Sequence, residues 1–490
     1  MKYDYDILVI GLGPAGMAVS IMGSEMGLKV CAIEGHKVGG ECMNVGCIPS
    51  KALLRIAKTR HAVKLFEKMQ LSSVEEPQVL RPFDRIHKDL HNIGQNKTMS
   101  MFKKVDLIYQ QGNARFVDAH TVEVVKDSRG VDEADIKQAE VRRVSAKHIF
   151  IAVGTKPAIA PFEGLLDVEP LTNENIFNLT EIPKRLVILG GGAIACEMAQ
   201  AFCRLGSQCS MIIRGPNLLR REDLDAINIL EKSLEAEGVK IYRESVPTRF
   251  YKQGQEIFVD IKAGKDGSKE TVVCDKVLCA TGRKTAFESL GLENAGVEFK
   301  DYGIVVDSAL STSQKHIYAV GDCNGYFQFS HAAMHQGMIA LMNCLMPRGM
   351  KMKFENYVVP WTIFTEPQIS YVGPRENELK ERGIKYETIK VSYEDYGAAI
   401  AESVDVGFVK VFVTPFGRVL AAMVVGEGSG DMINEWGLAI QEKIRMHRIM
   451  FLQHSFPSMA FLNKRVAETW AMNKMKSRLI KMMCRLLFRM

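Results

Sequence analysis

Asp6-Ile7-Leu8-Val9-Ile10-Gly11-Leu12-Gly13-Pro14-Ala15-Gly16 carries the pattern from which the architecture is read. The apolar run Ile7 to Ile10 ends at a glycine and reads as a short buried strand. Glycines at 11, 13 and 16 then allow a tight turn, close approach of backbone to a pyrophosphate, and packing of the next helix on the strand. The phosphates would lie against the positive end of that helix. Such a glycine triplet is a weak signal alone. It gains weight from Val30-Cys31-Ala32-Ile33-Glu34, a second strand ending in an acid 21 residues after Gly13, where a carboxylate can hold a ribose hydroxyl.

The same order recurs at Leu186-Val187-Ile188-Leu189-Gly190-Gly191-Gly192-Ala193-Ile194-Ala195, so one chain can hold two dinucleotides. Here 21 residues beyond Gly192 stands Ile213, followed by Arg214, with Arg220 and Arg221 close behind. Loss of the acid and gain of guanidinium groups favour a 2′-phosphate, hence NADPH over NADH. The alternative, a solvated arginine loop, stays open. Ala152-Val153-Gly154-Thr155 and Ala280-Thr281-Gly282-Arg283 are expected to carry the chain into and out of an inserted domain. Ile317-Tyr318-Ala319-Val320-Gly321-Asp322 reads as a strand that places the Asp322 carboxylate near a ribityl chain.

Just after the first glycine turn stands Gly39-Gly40-Glu41-Cys42-Met43-Asn44-Val45-Gly46-Cys47-Ile48-Pro49-Ser50-Lys51. The gap between the thiols is wider than that of a zinc knuckle, and no second cysteine pair completes a four-ligand site. A reversible disulfide is the better reading, and no resident metal site is expected. The other nine cysteines read as small buried hydrophobes.

A length of 490 residues with 47% hydrophobic content suggests about three domains, each with its own core. Met1 to Tyr5 runs straight into the first strand, unlike a secretory signal, and the scattered cysteines suit a reducing cytoplasm. Net charge is +6, and residues 473–490 carry Lys474, Lys476, Arg478, Lys481, Arg485 and Arg489 with no acid. The body is therefore near neutral, which argues against a nucleic-acid-binding surface.

Taken together these motifs resemble the class I FAD-dependent pyridine nucleotide-disulfide oxidoreductases, the family of glutathione reductase, dihydrolipoamide dehydrogenase and mercuric reductase. The resemblance implies an α/β fold with two Rossmann-like dinucleotide-binding domains and a C-terminal α+β dimerisation domain. Residues 1–155 and 285–352 would bind FAD, 156–284 NAD(P)H, and 353–465 a second copy in a homodimer, leaving 466–490 as a basic tail. The segment from Tyr357 through Pro367 to Gly373 looks like the start of the dimerisation domain. FAD would lie on Gly11, Gly13, Gly16 and Glu34, with Gly154 and Asp322. NADPH would lie on Gly190, Gly192, Ala195, Arg214, Arg220 and Gly282. By position Cys47 is the thiol nearest the flavin, Cys42 the interchange thiol, and Lys51 and Glu197 an ion pair near the flavin ring.

The departures concern the acceptor. Members that handle thiols carry a C-terminal His-Pro and a later Glu, contributed by the partner subunit, for proton transfer. This chain reads His454-Ser455-Phe456-Pro457-Ser458-Met459-Ala460-Phe461, with phenylalanines at both positions. His454 either substitutes or is an ordinary packed histidine. The pattern is most similar to mercuric reductase, and a thiophilic metal ion on two thiolates needs no proton donor. Against it, only Cys484 stands in the tail, where that enzyme has a cysteine pair. The expectation is transfer from NADPH through FAD and the Cys42–Cys47 disulfide to an unidentified small-molecule or metal-ion acceptor. Dihydrolipoamide dehydrogenase and a membrane- or partner-docked redox relay are the rivals.

On one helix, Lys474, Arg478, Lys481, Arg485 and Arg489 would share a face, opposite Met475, Leu479, Met482, Met483, Leu486, Leu487 and Met490. Two readings stay open: peripheral contact with the anionic inner face of a membrane, or packing on the protein's own dimer. No run of about 20 uncharged apolar residues is present to span a bilayer.

Overall fold

A computed structural model describes residues 2–125 and 142–488. The chain divides into two compact units, Met1–Arg214 with Ile241–Asn356, and Gly215–Lys240 with Tyr357–Met490.

In the first unit the run from Tyr5 forms β1 (Tyr5–Ile10), and Pro14 opens α1 (Pro14–Glu25), where its fixed φ and missing N–H cost nothing. Strands β2 (Val30–Glu34), β3 (Asp106–Tyr109), β4 (Asn113–Phe116), β5 (Thr121–Val125) and β6 (Arg142–Ile151) complete a sheet in the order β3-β2-β1-β6-β5-β4. Ile317–Ala319 pairs with β6 as a further strand. The pairs among β1, β2, β3, β6 and Ile317–Ala319 are parallel; those of β4 and β5 are antiparallel. Register aligns Ile10 with Ile33 and Ile151, and Ile151 with Ala319. Gly11, Glu34, Gly154 and Asp322 therefore leave one carboxyl edge of the sheet together, where open α/β sheets bind ligands.

A second parallel set, Gln208–Ile212, Arg185–Leu189 and Lys276–Cys279, carries the helix Ala193–Arg204 after its glycine turn. An antiparallel triplet, Val246–Gln253, Glu256–Ala263 and Ser268–Cys274, closes its core with Phe250, Val259 and Ile261. Thr155–Pro157 pairs antiparallel with Arg283–Thr285, so the two connecting segments named from the sequence run side by side.

The C-terminal unit is built on a five-stranded antiparallel sheet, in the order Trp361–Ile363, Ile369–Val372, Val419–Val425, Phe408–Val413, Glu387–Ser392. The fully buried Trp436, on helix Ser429–Gln441, donates its indole N–H to Asn463 Oδ1 at 2.7 Å. That bond satisfies a polar atom that burial would otherwise penalise. Helix Leu224–Ala236 belongs to this unit. Lys410 bonds Asp223 and Asp225 at that helix's N-terminal end, at 2.8 and 3.1 Å.

The tail differs from the single helix expected. Phe461–Met475 ends before Ser477, whose hydroxyl caps a separate helix, Arg478–Leu487. Lys474 therefore belongs to the earlier helix and pairs with Glu387. Arg489 and Met490 lie outside the described residues. Among the described residues no helix is long and apolar enough to cross a membrane.

Candidate active site

Gly11 sits at φ +89°, and a Cβ there would meet Ala152 O at 2.7 Å. Gly190 sits at φ +117°, where a Cβ would meet Ala280 O at 2.3 Å. Both glycine turns thus press on the connecting segment that leaves the neighbouring strand. Gly16 lets α1 approach the turn, since a Cβ would stand 1.9 Å from Gly11 O. Gly13 and Gly192, each preceding its helix, face open space within 4 Å. Glu34, 8% exposed, accepts Leu12 N–H on one oxygen and His36 N–H on the other, both at 2.8 Å. A carboxylate has about four lone-pair directions, so it keeps acceptor capacity for a hydroxyl.

Asp322 follows Gly321 (φ +79°), whose N–H bonds Gln336 Oε1 at 2.8 Å. Burial pushes the Asp322 carboxyl up from its ordinary range, against the pull of Arg283. Gln336 also accepts from Asn324 at 2.7 Å, while its own buried Nε2 has no hydrogen-bond partner. Gly154 (φ +67°) and Gly282 (φ +140°) occupy the two connecting segments. In the second glycine turn Ala195 is fully buried; Arg214 is exposed. Arg220, in the C-terminal unit, is exposed as well.

The cysteines flank a turn between α2 (Gly40–Asn44) and α3 (Cys47–His61). Gly46 makes that turn possible, because a Cβ would stand 2.9 Å from Glu41 O and 3.2 Å from Cys42 Cα. Cys47 is the first residue of the 15-residue α3, where the helix dipole favours a thiolate. All eleven cysteines are free thiols, so the pair stands as a dithiol. The Cys42 thiol donates to Cys47, which draws the Cys47 pKa down to about 6, helped by Ser330 and the Lys51 charge. The same bond holds the Cys42 proton on. Ser330 Oγ lies 3.3 Å from Cys47 Sγ. Lys51, one helical turn beyond Cys47, meets the buried Glu197 of helix Ala193–Arg204 at 2.7 Å.

A further network escaped the sequence. Glu41 is ion-paired with Arg283 and accepts from Asn173 at 2.9 Å. Arg283 also donates to Thr155 Oγ1 at 2.7 Å, and that hydroxyl lies 3.3 Å from Asp322. Glu41 and Arg283 lie within the cysteine and second connecting segments, where spacing assigns them no partner; Ser330 and Asn173 have no local signature.

In the C-terminal unit His454 is almost enclosed, with 6% of its side chain exposed. Its Nε2 meets Glu435 at 3.0 Å and its Nδ1 faces Leu452 O at 3.4 Å. Phe456 is 72% exposed and packs edge-on against Phe461.

The sequence pattern of the pyridine nucleotide-disulphide oxidoreductases matches residues 5–337, and that of their dimerisation domain matches residues 359–465. The chain belongs to this family. As a pyridine nucleotide-disulphide oxidoreductase it is an FAD-dependent enzyme that uses NAD(P)H and a redox-active disulfide. It is 32% identical over 446 residues to mercuric reductase of Lysinibacillus sphaericus, covering 89% of this chain and 77% of that one. It is also 32% identical over 463 residues to dihydrolipoyl dehydrogenase of Thermus scotoductus, covering 93% and 95%. Its fold matches the Cu(II) complex of the HOCl-induced flavoprotein disulfide reductase RclA from Escherichia coli at a TM-score of 0.82, with 25% identity over 96% of this chain and 100% of that one. The first glycine turn fits the flavin dinucleotide: open space at Gly13, spare acceptor capacity on Glu34, and a partnerless buried amide on Gln336 beside the Asp322 turn.

Proposed function

We propose that the enzyme oxidises NADPH and delivers the electrons, through FAD and the Cys42–Cys47 disulfide, to an acceptor that is not a thiol, a thiophilic metal ion being the class favoured. In this reading residues 1–155 and 285–352 hold FAD on Gly11, Gly13, Gly16, Glu34, Gly154 and Asp322. Residues 156–284 hold NADPH on Gly190, Gly192, Ala195, Gly282 and the arginines 214 and 220. Residues 353–465 form a homodimer. Bound FAD supplies two-electron hydride chemistry between nicotinamide and sulfur. The protein's own part is to keep the Cys47 sulfur ionised at a helix N-terminus and the Cys42 proton in place, so the two thiols differ in charge and task. Lys51 and Glu197 keep a compensated charge beside them.

The observation that carries the choice of acceptor is the enclosure of His454. A proton donor must reach the leaving thiol, and this imidazole is 6% exposed, with Nε2 on Glu435 and Nδ1 facing Leu452 O. Phe456 and Phe461 cannot exchange protons. Two thiolates suit a soft metal ion without any such donor. The rival, dihydrolipoamide oxidation, draws on the 32% identity to dihydrolipoyl dehydrogenase. The same reading puts the protein in the cytoplasm, its basic tail on the inner face of the membrane.

The test is anaerobic reduction of the purified enzyme with NADPH, followed by Hg(II), lipoamide, glutathione disulfide and quinones in separate trials. Rapid reoxidation by Hg(II) with slow turnover of both disulfides is expected. Efficient lipoamide turnover overturns the acceptor reading, and equal turnover by the Cys42→Ser/Cys47→Ser variant overturns the dithiol route.

A further inference from the structure

We propose that helix Arg478–Leu487 docks the enzyme on an anionic phospholipid surface. The proposal rests on the functional reading only for what the docking serves. Helical periodicity places Arg478, Lys481 and Arg485 on one side, and Met482, Met483, Leu486 and Leu487 around the other. All four of those apolar side chains are more than half exposed, and Phe488 beyond them is 97% exposed. An apolar stripe of this size on a soluble unit marks a contact surface.

Charge selects the occupant. Residues 476–488 hold Lys476, Arg478, Lys481 and Arg485 and no Asp or Glu. Seated on its own copy, the helix would bury its apolar stripe but leave Arg478, Lys481 and Arg485 without an acidic partner on the facing helix, which carries no acid. A protein groove would have to be both apolar and strongly acidic. An anionic bilayer offers the two features at the depths this helix needs: acyl chains for Met482, Met483, Leu486, Leu487 and Phe488, and headgroups for the flanking cations. The break at Ser477 supports this geometry. Lys474 on the preceding helix is tied to Glu387, while the helix beyond Ser477 starts afresh with its own cap.

Flotation of the FAD-loaded, full-length enzyme with vesicles tests the proposal. Binding is expected to mixed phosphatidylglycerol and phosphatidylcholine vesicles, not to phosphatidylcholine alone, and to weaken with added salt. Arg478→Gln/Lys481→Gln/Arg485→Gln should weaken it about 100-fold, from the per-cation contribution at an anionic surface. Met482→Asp/Leu486→Asp should abolish it with the cations in place. Ferricyanide reduction in solution should be unchanged in both variants. Flotation of the triple-Gln variant equal to wild type, or no flotation of the full chain, overturns the proposal. So does removal of residues 477–490 if it changes only the dimer mass by sedimentation. Retained flotation with no NADPH oxidation would overturn the functional reading and leave the docking intact.

Discussion

Arg283 reaches across 242 positions of sequence to form an ion pair with Glu41, the residue before Cys42. Both side chains are largely shielded, at 16% and 28% exposure, and the same guanidinium holds Thr155. The pair thus pins the short helix carrying one thiol to a connecting segment near the second glycine turn. Without the guanidinium the partly shielded carboxylate keeps only Asn173, a loss on the order of 2 kcal/mol for one charge-assisted contact. Arg283→Met should therefore lower the unfolding midpoint by several degrees and change the alkylation rate of Cys42 in the reduced enzyme. Adding Glu41→Gln to Arg283→Met removes the uncompensated charge, keeps an acceptor for Asn173, and should restore part of the lost midpoint. An unchanged midpoint in Arg283→Met would count against the pin.

The Cys47 thiolate gives a pH dependence of definite sign. Its pKa is drawn down to about 6, chiefly by the bond from Cys42. Alkylation of Cys47 in the reduced enzyme should rise as pH climbs through about 6 and level off above it. Because the folded value is depressed, its stabilising contribution is complete above the ordinary thiol range and is lost as pH falls through that midpoint. Cys42→Ala and Lys51→Met should each move the midpoint upward, the first by more. Mass-spectrometric alkylation profiles provide the measurement.

Gly13 and Gly16 separate binding from folding. A methyl at Gly13 meets nothing in the protein, whereas one at Gly16 runs into Gly11 O. Gly13→Ala should yield a folded protein with wild-type circular dichroism and little bound flavin. Gly16→Ala should fail to accumulate as folded protein. Equal flavin absorbance in Gly13→Ala and wild type would remove Gly13 from the binding surface.

Arg214 is the sharper test of nicotinamide preference, standing exposed just past the end of strand Gln208–Ile212, where the strand after the first glycine turn ends in Glu34. Loss of one charge-assisted contact to a 2′-phosphate is worth about 1.5–3 kcal/mol, or roughly 10–100-fold. Arg214→Ala should raise the NADPH KM by that factor and leave NADH nearly unaffected. Steady-state ferricyanide reduction with both nucleotides decides it.

Much of the fold was legible because its signals are local. Ile7 to Ile10 and Leu186 to Leu189 are apolar runs closed by glycines whose positive φ and close contacts the turn geometry demands. Cys47 and Lys51 share a helix face by spacing alone. The tail's apolar periodicity continues in phase past Lys476 and Ser477, which by itself implies one helix. The Ser477 cap and the Lys474–Glu387 pair break it there.

Two glycine turns, a dithiol beside the first, and a phenylalanine before Pro457 are legible in the residues alone. Each follows from residue types within one short stretch, where backbone sterics and helical spacing leave few choices. That Ser330 touches Cys47, that Arg283 holds Glu41, and that His454 is closed on Glu435 emerges from the folded chain. The first two contacts join residues more than two hundred positions apart, brought together by parallel strand order; the third joins a loop residue to the helix Ser429–Gln441 through packing. No local pattern encodes a contact whose existence depends on how the whole chain is wound.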